Sequence, residues 1–271
     1  MKKGRKHMRY GAMNFPVKPT LQEIQRIASL GFDFLELTLD APLAHFSVIR
    51  EQRDAILDLL ANRGLGLVCH LPTFVYTADL TQSIRQASLQ EMLGSLETAA
   101  ELQAEKVVLH PGHIGGLGVF VMELARGYAM HSLEQIYSRS MELSVTLCLE
   151  NMFPRYLSFV EPEDFRTVFD TFPELKLTLD TGHANIDDDR KNRTLRFIEL
   201  FGPRLGHIHM SDNGGKKDDH QPVGQGTVPF ARIIQALKRL CYDGTITLEI
   251  FTDDSRELVS SRERIKALIV E

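Results

Sequence analysis

Eight short runs rich in Leu, Ile, Val and Thr recur along the chain, with helically patterned stretches between them, and this alternation limits the fold more than any other feature. The runs lie at 8–15, 32–40, 65–71, 106–112, 145–152, 175–180, 205–212 and 245–251. Among the intervening stretches, 21–31 (LQEIQRIASLG) and 48–64 (VIREQRDAILDLLANRG) end in Gly, a common helix terminator, and 230–240 (FARIIQALKRL) has clear helical periodicity. Parallel strands need helical crossovers, so eight strand–helix units in 271 residues predict an α/β fold, the (β/α)8 TIM barrel. No Pro/Gly/Ser-rich linker divides the chain, which reads as a single domain over 1–271. A doubly wound open sheet is the alternative.

Side chains alternate across a strand, and the two faces of these runs differ. Leu175, Leu177 and Leu179 share one face, and Lys176, Thr178 and Asp180 the other. Val145, Leu147 and Leu149 likewise oppose Thr146, Cys148 and Glu150, while Ile246, Leu248 and Ile250 oppose Thr245, Thr247 and Glu249. The aliphatic face packs on helices. The small, polar face then lines the barrel interior and ends at the C-terminal mouth, where barrel active sites form.

The last inward positions of the later strands are His70, His110, Glu150, Asp180, His209 and Glu249, separated by 40, 40, 30, 29 and 40 residues. That is about one strand–helix unit each, so the six sit side by side on one rim. A lone His on a strand is more often hydrogen-bonded packing than a ligand; only the set carries the inference. Three imidazoles and three carboxylates converging without basic partners repel or desolvate badly unless divalent cations satisfy them. His183, three residues past Asp180, and Asp218 with His220, in the loop after the seventh run, are further ligand candidates. His113 reads as a turn residue or a substrate contact, and Arg155 as a surface residue or a contact to an anionic substrate. Asn151 can brace Glu150. Gly224-Gln225-Gly226-Thr227 reads as a turn with Thr227 capping the next helix, or as an anion cradle.

Composition narrows the partners. A net charge of −5 supplies no general attraction for polyanions. Cys69, Cys148 and Cys241 are widely spaced, which argues against a disulfide framework and a thiolate zinc site and suits a reducing cytoplasm. No 18-residue apolar run exists, so no membrane span is expected. The basic start MKKGRKHMRY, followed by no apolar segment, reads as a solvated terminus rather than a secretory signal or a nucleic-acid arm.

The motifs CHLP (69–72), VVLHPGH (107–113), LCLENM (147–152), LTLDTGHANI (177–186), HIHMSDNGGKKDDHQPVGQG (207–226) and TLEIF (247–251) resemble the xylose isomerase-like TIM barrel superfamily, which includes sugar isomerases and epimerases and endonuclease IV. The resemblance implies a core metal on Glu150, Asp180, His209 and Glu249. In the endonuclease IV branch, further zinc ions use positions matching His70, His110, His183, Asp218 and His220, with Glu150 bridging. The Asn-Asp-Ser-Lys stretch of that branch is replaced by Met210-Ser211-Asp212-Asn213, and the place of its DNA-stacking aromatic reads Leu71-Pro72-Thr73-Phe74. SDN…DDH…GQG and ENMFPR look more like the sugar phosphate isomerase/epimerase relatives.

The expected function is therefore a divalent-metal-dependent isomerase or epimerase of a sugar, polyol or sugar phosphate, working through a metal-stabilised enediolate. Glu150 and Glu249 would move the proton and His183 would polarise a substrate oxygen, with His113, Asn151 and Arg155 as substrate contacts. Zinc or manganese suits the donor set, magnesium and cobalt are compatible, and no organic cofactor is implied. The partner is a small-molecule sugar or sugar phosphate rather than nucleic acid or membrane, and a homo-oligomer is compatible with the chain. The alternative is an endonuclease IV-like zinc phosphodiesterase acting on abasic-site DNA.

Overall fold

In a computed structural model that describes residues 8–270, the strands β1 (Arg9–Met13), β2 (Phe34–Thr38), β3 (Gly66–His70), β4 (Val107–Leu109), β5 (Leu147–Glu150), β6 (Lys176–Asp180), β7 (Leu205–Met210) and β8 (Thr245–Leu248) pair in parallel, in sequence order, and β1 closes on β8. The closed (β/α)8 barrel excludes the open sheet. Most of the basic start lies outside the described residues. The crossovers are α1 (Thr20–Ser29), α2 (Phe46–Glu51), α3 (Arg53–Arg63), α4 (Gln82–Glu101), α5 (Met122–Glu142), α6 (Arg166–Thr171), α7 (Thr181–Asn185), α8 (Arg193–Phe201), α9 (Phe230–Arg239) and α10 (Ser255–Val270). The single helix expected over 48–64 is two, because Gln52, with φ −102° and ψ 5°, breaks the turn between α2 and α3. Gly64 ends α3 in the left-handed region at φ +62°, as a terminating Gly should. Among the described residues, no helix is long and apolar enough to cross a membrane.

The alternation of faces sets what is buried where. Leu35, Leu37, Leu147, Leu149, Leu177, Leu179, Ile246 and Leu248 join the core shared with the helices. A separate cluster of Phe34, Val68 and Val108 plugs the barrel interior. The Phe34 ring lies against β1, where a Cβ on Gly11 would come 2.2 Å from Phe34 Cε2, so only glycine fits there. Above the plug the interior turns polar. On β7, a register irregularity at Leu177/Thr178 inserts Gly206 as the extra residue, after which His207 pairs with Thr178 and His209 with Asp180.

The amides flanking the Gly224–Thr227 loop are turned to an internal anion, the Asp212 carboxylate. Asp212 Oδ2 accepts from Gly224 N at 2.8 Å and Oδ1 from Val228 N at 3.0 Å. Nor does Thr227 cap α9, whose N-cap is Pro229; its hydroxyl donates to the Asn213 carbonyl instead.

Replacing Gly11 with Val should overpack the plug and lower unfolding free energy by about 1–3 kcal/mol in urea denaturation. Unchanged stability would mean that the Phe34 ring does not press on β1.

Candidate metal centre

The barrel mouth gathers the ligand-type residues. His70, Glu150 and Asp180 end β3, β5 and β6, His209 is the penultimate residue of β7, and His110 and Glu249 lie one residue past β4 and β8. Donor atoms of Glu150, Asp180, His209 and Glu249 all lie within 4.8 Å of one another, as do those of His70, His110 and Glu150. His209 Nδ1 is 3.2 Å from Glu150 Oε1, 3.0 Å from Glu249 Oε2 and 3.7 Å from Asp180 Oδ2. Glu150 Oε2 faces the other way, 3.5 Å from His70 Nε2 and 3.2 Å from His110 Nε2.

Asp180 has two duties. Its Oδ1 caps the short helix α7 by accepting from His183 N at 2.6 Å, which is why a strand can end in Asp-Thr-Gly-His. Its Oδ2 stays free and turns inward.

Each of four histidines has one ring nitrogen fixed from behind. His70 Nδ1 donates to the Leu71 carbonyl (2.7 Å), His183 Nδ1 to the Asn151 carbonyl (2.9 Å) and His220 Nδ1 to the Glu249 carbonyl (3.1 Å). Since a carbonyl only accepts, the neutral ring must present a bare Nε2 to the mouth. His209 is inverted: Nε2 donates to Glu36 Oε1 at 2.9 Å and Nδ1 faces the carboxylates. Acceptor-backed imidazoles with the second nitrogen presented inward are the arrangement of metal-binding histidines. Nε2 of both His183 (3.2 Å) and His220 (3.0 Å) meets Asp218 Oδ2, which joins the loop ligand candidates into a third group at the same mouth.

Charge points the same way. Burial opposes ionisation of Glu150, yet His209 and His110 hold its carboxyl well below the usual range. Glu249 is lowered similarly, burial being outweighed by His209 and His220. Asp180 yields: burial, with Glu150 and Glu249 nearby, pushes it to about 7 despite His183. Burial disfavours the charged form of His209, but Glu36, Glu150 and Glu249 raise it well above its ordinary value. Without a cation, protons supply the missing positive charge. Buried Glu150 Oε2, Asp180 Oδ2, Glu249 Oε2 and His70 Nε2 also lack hydrogen-bond partners. Asp180 Oδ2 and Glu249 Oε2 in the four-residue group, and Glu150 Oε2 with His70 Nε2 in the neighbouring one, are unpartnered donors that fit divalent ions of the zinc or manganese type.

The other expected contacts divide. The Asn151 amide is turned to Asp180: Nδ2 donates to the Asp180 carbonyl (3.0 Å) and Oδ1 accepts from Asp180 N (2.8 Å), which fixes the end of β6. His113 lies beside the centre, its ring 4.8 Å from that of Tyr156, which in turn lies 6.2 Å from that of His110, and its buried Nδ1 lacks a partner. Arg155 is exposed on the turn Pro154–Tyr156. Two residues of the site went unread in the sequence, Glu36 and His207. Both are fully buried on the inward faces of β2 and β7 behind His209. The available signal was Glu36 at the middle of the inward series Phe34, Glu36, Thr38, where barrels place apolar residues.

The chain belongs to the xylose isomerase-like TIM barrel family, whose model matches residues 24–268. It is 24% identical over 268 residues to L-ribulose-5-phosphate 3-epimerase UlaE of Escherichia coli O1:K1, covering 91% of this chain and 89% of the relative. The crystal structure of a D-tagatose 3-epimerase-like protein superposes with a TM-score of 0.87 at 25% identity, covering 97% of each chain. A Thermus thermophilus protein whose crystals were soaked with ZnCl2 gives 0.72 at 25% identity, covering 96% of this chain and 98% of that one.

Metal binding must expel the protons held by Asp180 and the raised histidines, so zinc affinity should rise with pH from about 7 to about 9, with protons released in calorimetry. The metal-free fold should respond oppositely. Burial disfavours protonated His70 and His220, but Glu150 and Glu249 respectively hold both at about 9, above the ordinary histidine value. Their stabilisation is complete below that ordinary value and fades as pH rises through about 9. Affinity independent of pH would contradict the arrangement.

Proposed function

We propose that this chain is a divalent-metal-dependent epimerase or isomerase of a sugar, polyol or sugar phosphate. The observation that carries the reading is the buried set Glu150, Asp180, His209 and Glu249, with inward oxygens that no protein group satisfies. The family and its sugar-epimerase relatives support it.

The residues that would hold the ion are Glu150, Asp180, His209 and Glu249. The bound ion would supply Lewis-acid stabilisation of the charge that develops on adjacent substrate oxygens as an enediolate forms. Glu150 and Glu249 come from β5 and the end of β8, and both approach His209 Nδ1. A sugar carbon between them exposes one face to each carboxylate, so one removes its proton and the other returns one, inverting the centre. His183, held by the Asn151 carbonyl and directed inward through Nε2, polarises a substrate oxygen. His113 closes one side beside Tyr156, and exposed Arg155 reaches the anionic end of a sugar phosphate. Unpaired cysteines suit a cytoplasmic site of action.

A second reading, phosphodiester cleavage at abasic sites in DNA, is favoured by the further donor group His70, His110 and Glu150. It predicts cleavage that weakens steeply with salt. The net charge of −5 weighs against it.

Glu150→Gln should retain most bound metal while slowing exchange of the ketose α-proton with solvent deuterium by about 10²–10⁴-fold. Unchanged exchange in the metal-loaded variant removes Glu150 from the chemistry.

A further inference from the structure

Behind the mouth, five buried side chains form a network across the barrel interior. Glu36 Oε2 accepts from His207 Nε2 at 2.9 Å and from the Thr247 hydroxyl. The opposite nitrogen of His207, Nδ1, is 2.6 Å from the Thr245 hydroxyl. Glu36 Oε1 has one partner in this network, His209 Nε2 at 2.9 Å. Although Glu36, His207 and His209 are close enough to hold a cation themselves, their facing atoms are already paired by hydrogen bonds, so the cluster is not a second metal site.

Packing does not require a carboxylate there. The residues that pair with Glu36 on the neighbouring strands are Met13 and Val68. An apolar side chain at 36 would extend the plug of Phe34, Val68 and Val108 without the penalty of burying a charge. What the carboxylate provides is an acceptor aimed at one nitrogen of His209. With Oε2 clamped by His207 and Thr247, Oε1 is fixed in place. The proton on His209 Nε2 is thereby held in place, and Nδ1 is directed at the centre formed by Glu150, Asp180 and Glu249.

We propose that Glu36, clamped by His207 and Thr247, is the positioning residue that sets the tautomer and aim of His209 and so tunes divalent-ion affinity at the mouth. The inference rests on the metal reading of that site. It is tested by titrating zinc into the wild-type protein, Glu36→Gln and Thr247→Val, and by recording the His209 ring nitrogens in metal-free protein by ¹⁵N NMR, assigned with His209→Asn. Thermal unfolding identifies the folded variants.

Glu36→Gln should bind zinc about 10–100-fold more weakly and lose the protected His209 Nε2–H signal. Thr247→Val, which loosens the clamp without removing the acceptor, should shift both in the same direction by less, and it decides the matter if Glu36→Gln does not fold. Folded variants with wild-type zinc affinity and an unchanged His209 signal overturn the inference alone. Wild-type protein that binds no zinc overturns the metal reading beneath it.

Discussion

The arrangement of the mouth follows from one electrostatic constraint: three buried carboxylates must share a space with donor atoms within 4.8 Å. Mutual repulsion and lost hydration make that arrangement untenable without positive charge at its centre. In the metal-free state histidines and a proton on Asp180 meet the demand. A divalent ion would meet it with one charge centre and satisfy the inward oxygens as well. The surrounding architecture serves the same end, with carbonyls behind His70, His183 and His220, the Asn151 amide holding the end of β6, and Asp180 capping the turn that delivers His183.

The barrel makes such a concentration tolerable by separating tasks between layers. Aliphatic residues on the outward faces pack against the helices, and the plug of Phe34, Val68 and Val108 fills the interior below the site. Polar residues are confined to the upper interior, where each of the later strands delivers one ligand-type residue at its C-terminal end. The precise placement of the donor atoms thus comes from strand ends held by the ladder, while the loops contribute Asp218 and His220.

Much of this was legible in the sequence because a barrel repeats its unit at regular intervals. Alternation of faces in LKLTLD placed Asp180 at the mouth, and spacings near 30 and 40 residues brought His70, His110, Glu150, His209 and Glu249 to the same rim. Three things were not legible. Asn151 stands beside Glu150 in sequence but serves Asp180, because register across β5 and β6 decides its partner. Thr227 has the chemistry of a cap, but Asp212, distant in sequence, organises that loop. Glu36 was hidden because it lies mid-strand, 173 residues from the histidine it holds, and no local pattern links residues that meet only across a closed barrel.

Anomalous X-ray scattering from crystals grown with zinc or manganese shows whether the mouth holds a divalent ion. The expected result is an ion among Glu150, Asp180, His209 and Glu249, bound through His209 Nδ1 and carboxylate oxygens at about 2.0–2.2 Å if zinc. Well-ordered crystals with no anomalous peak at that position, with Asp180 and His209 still joined only to protein atoms or water, would contradict the metal reading of the mouth.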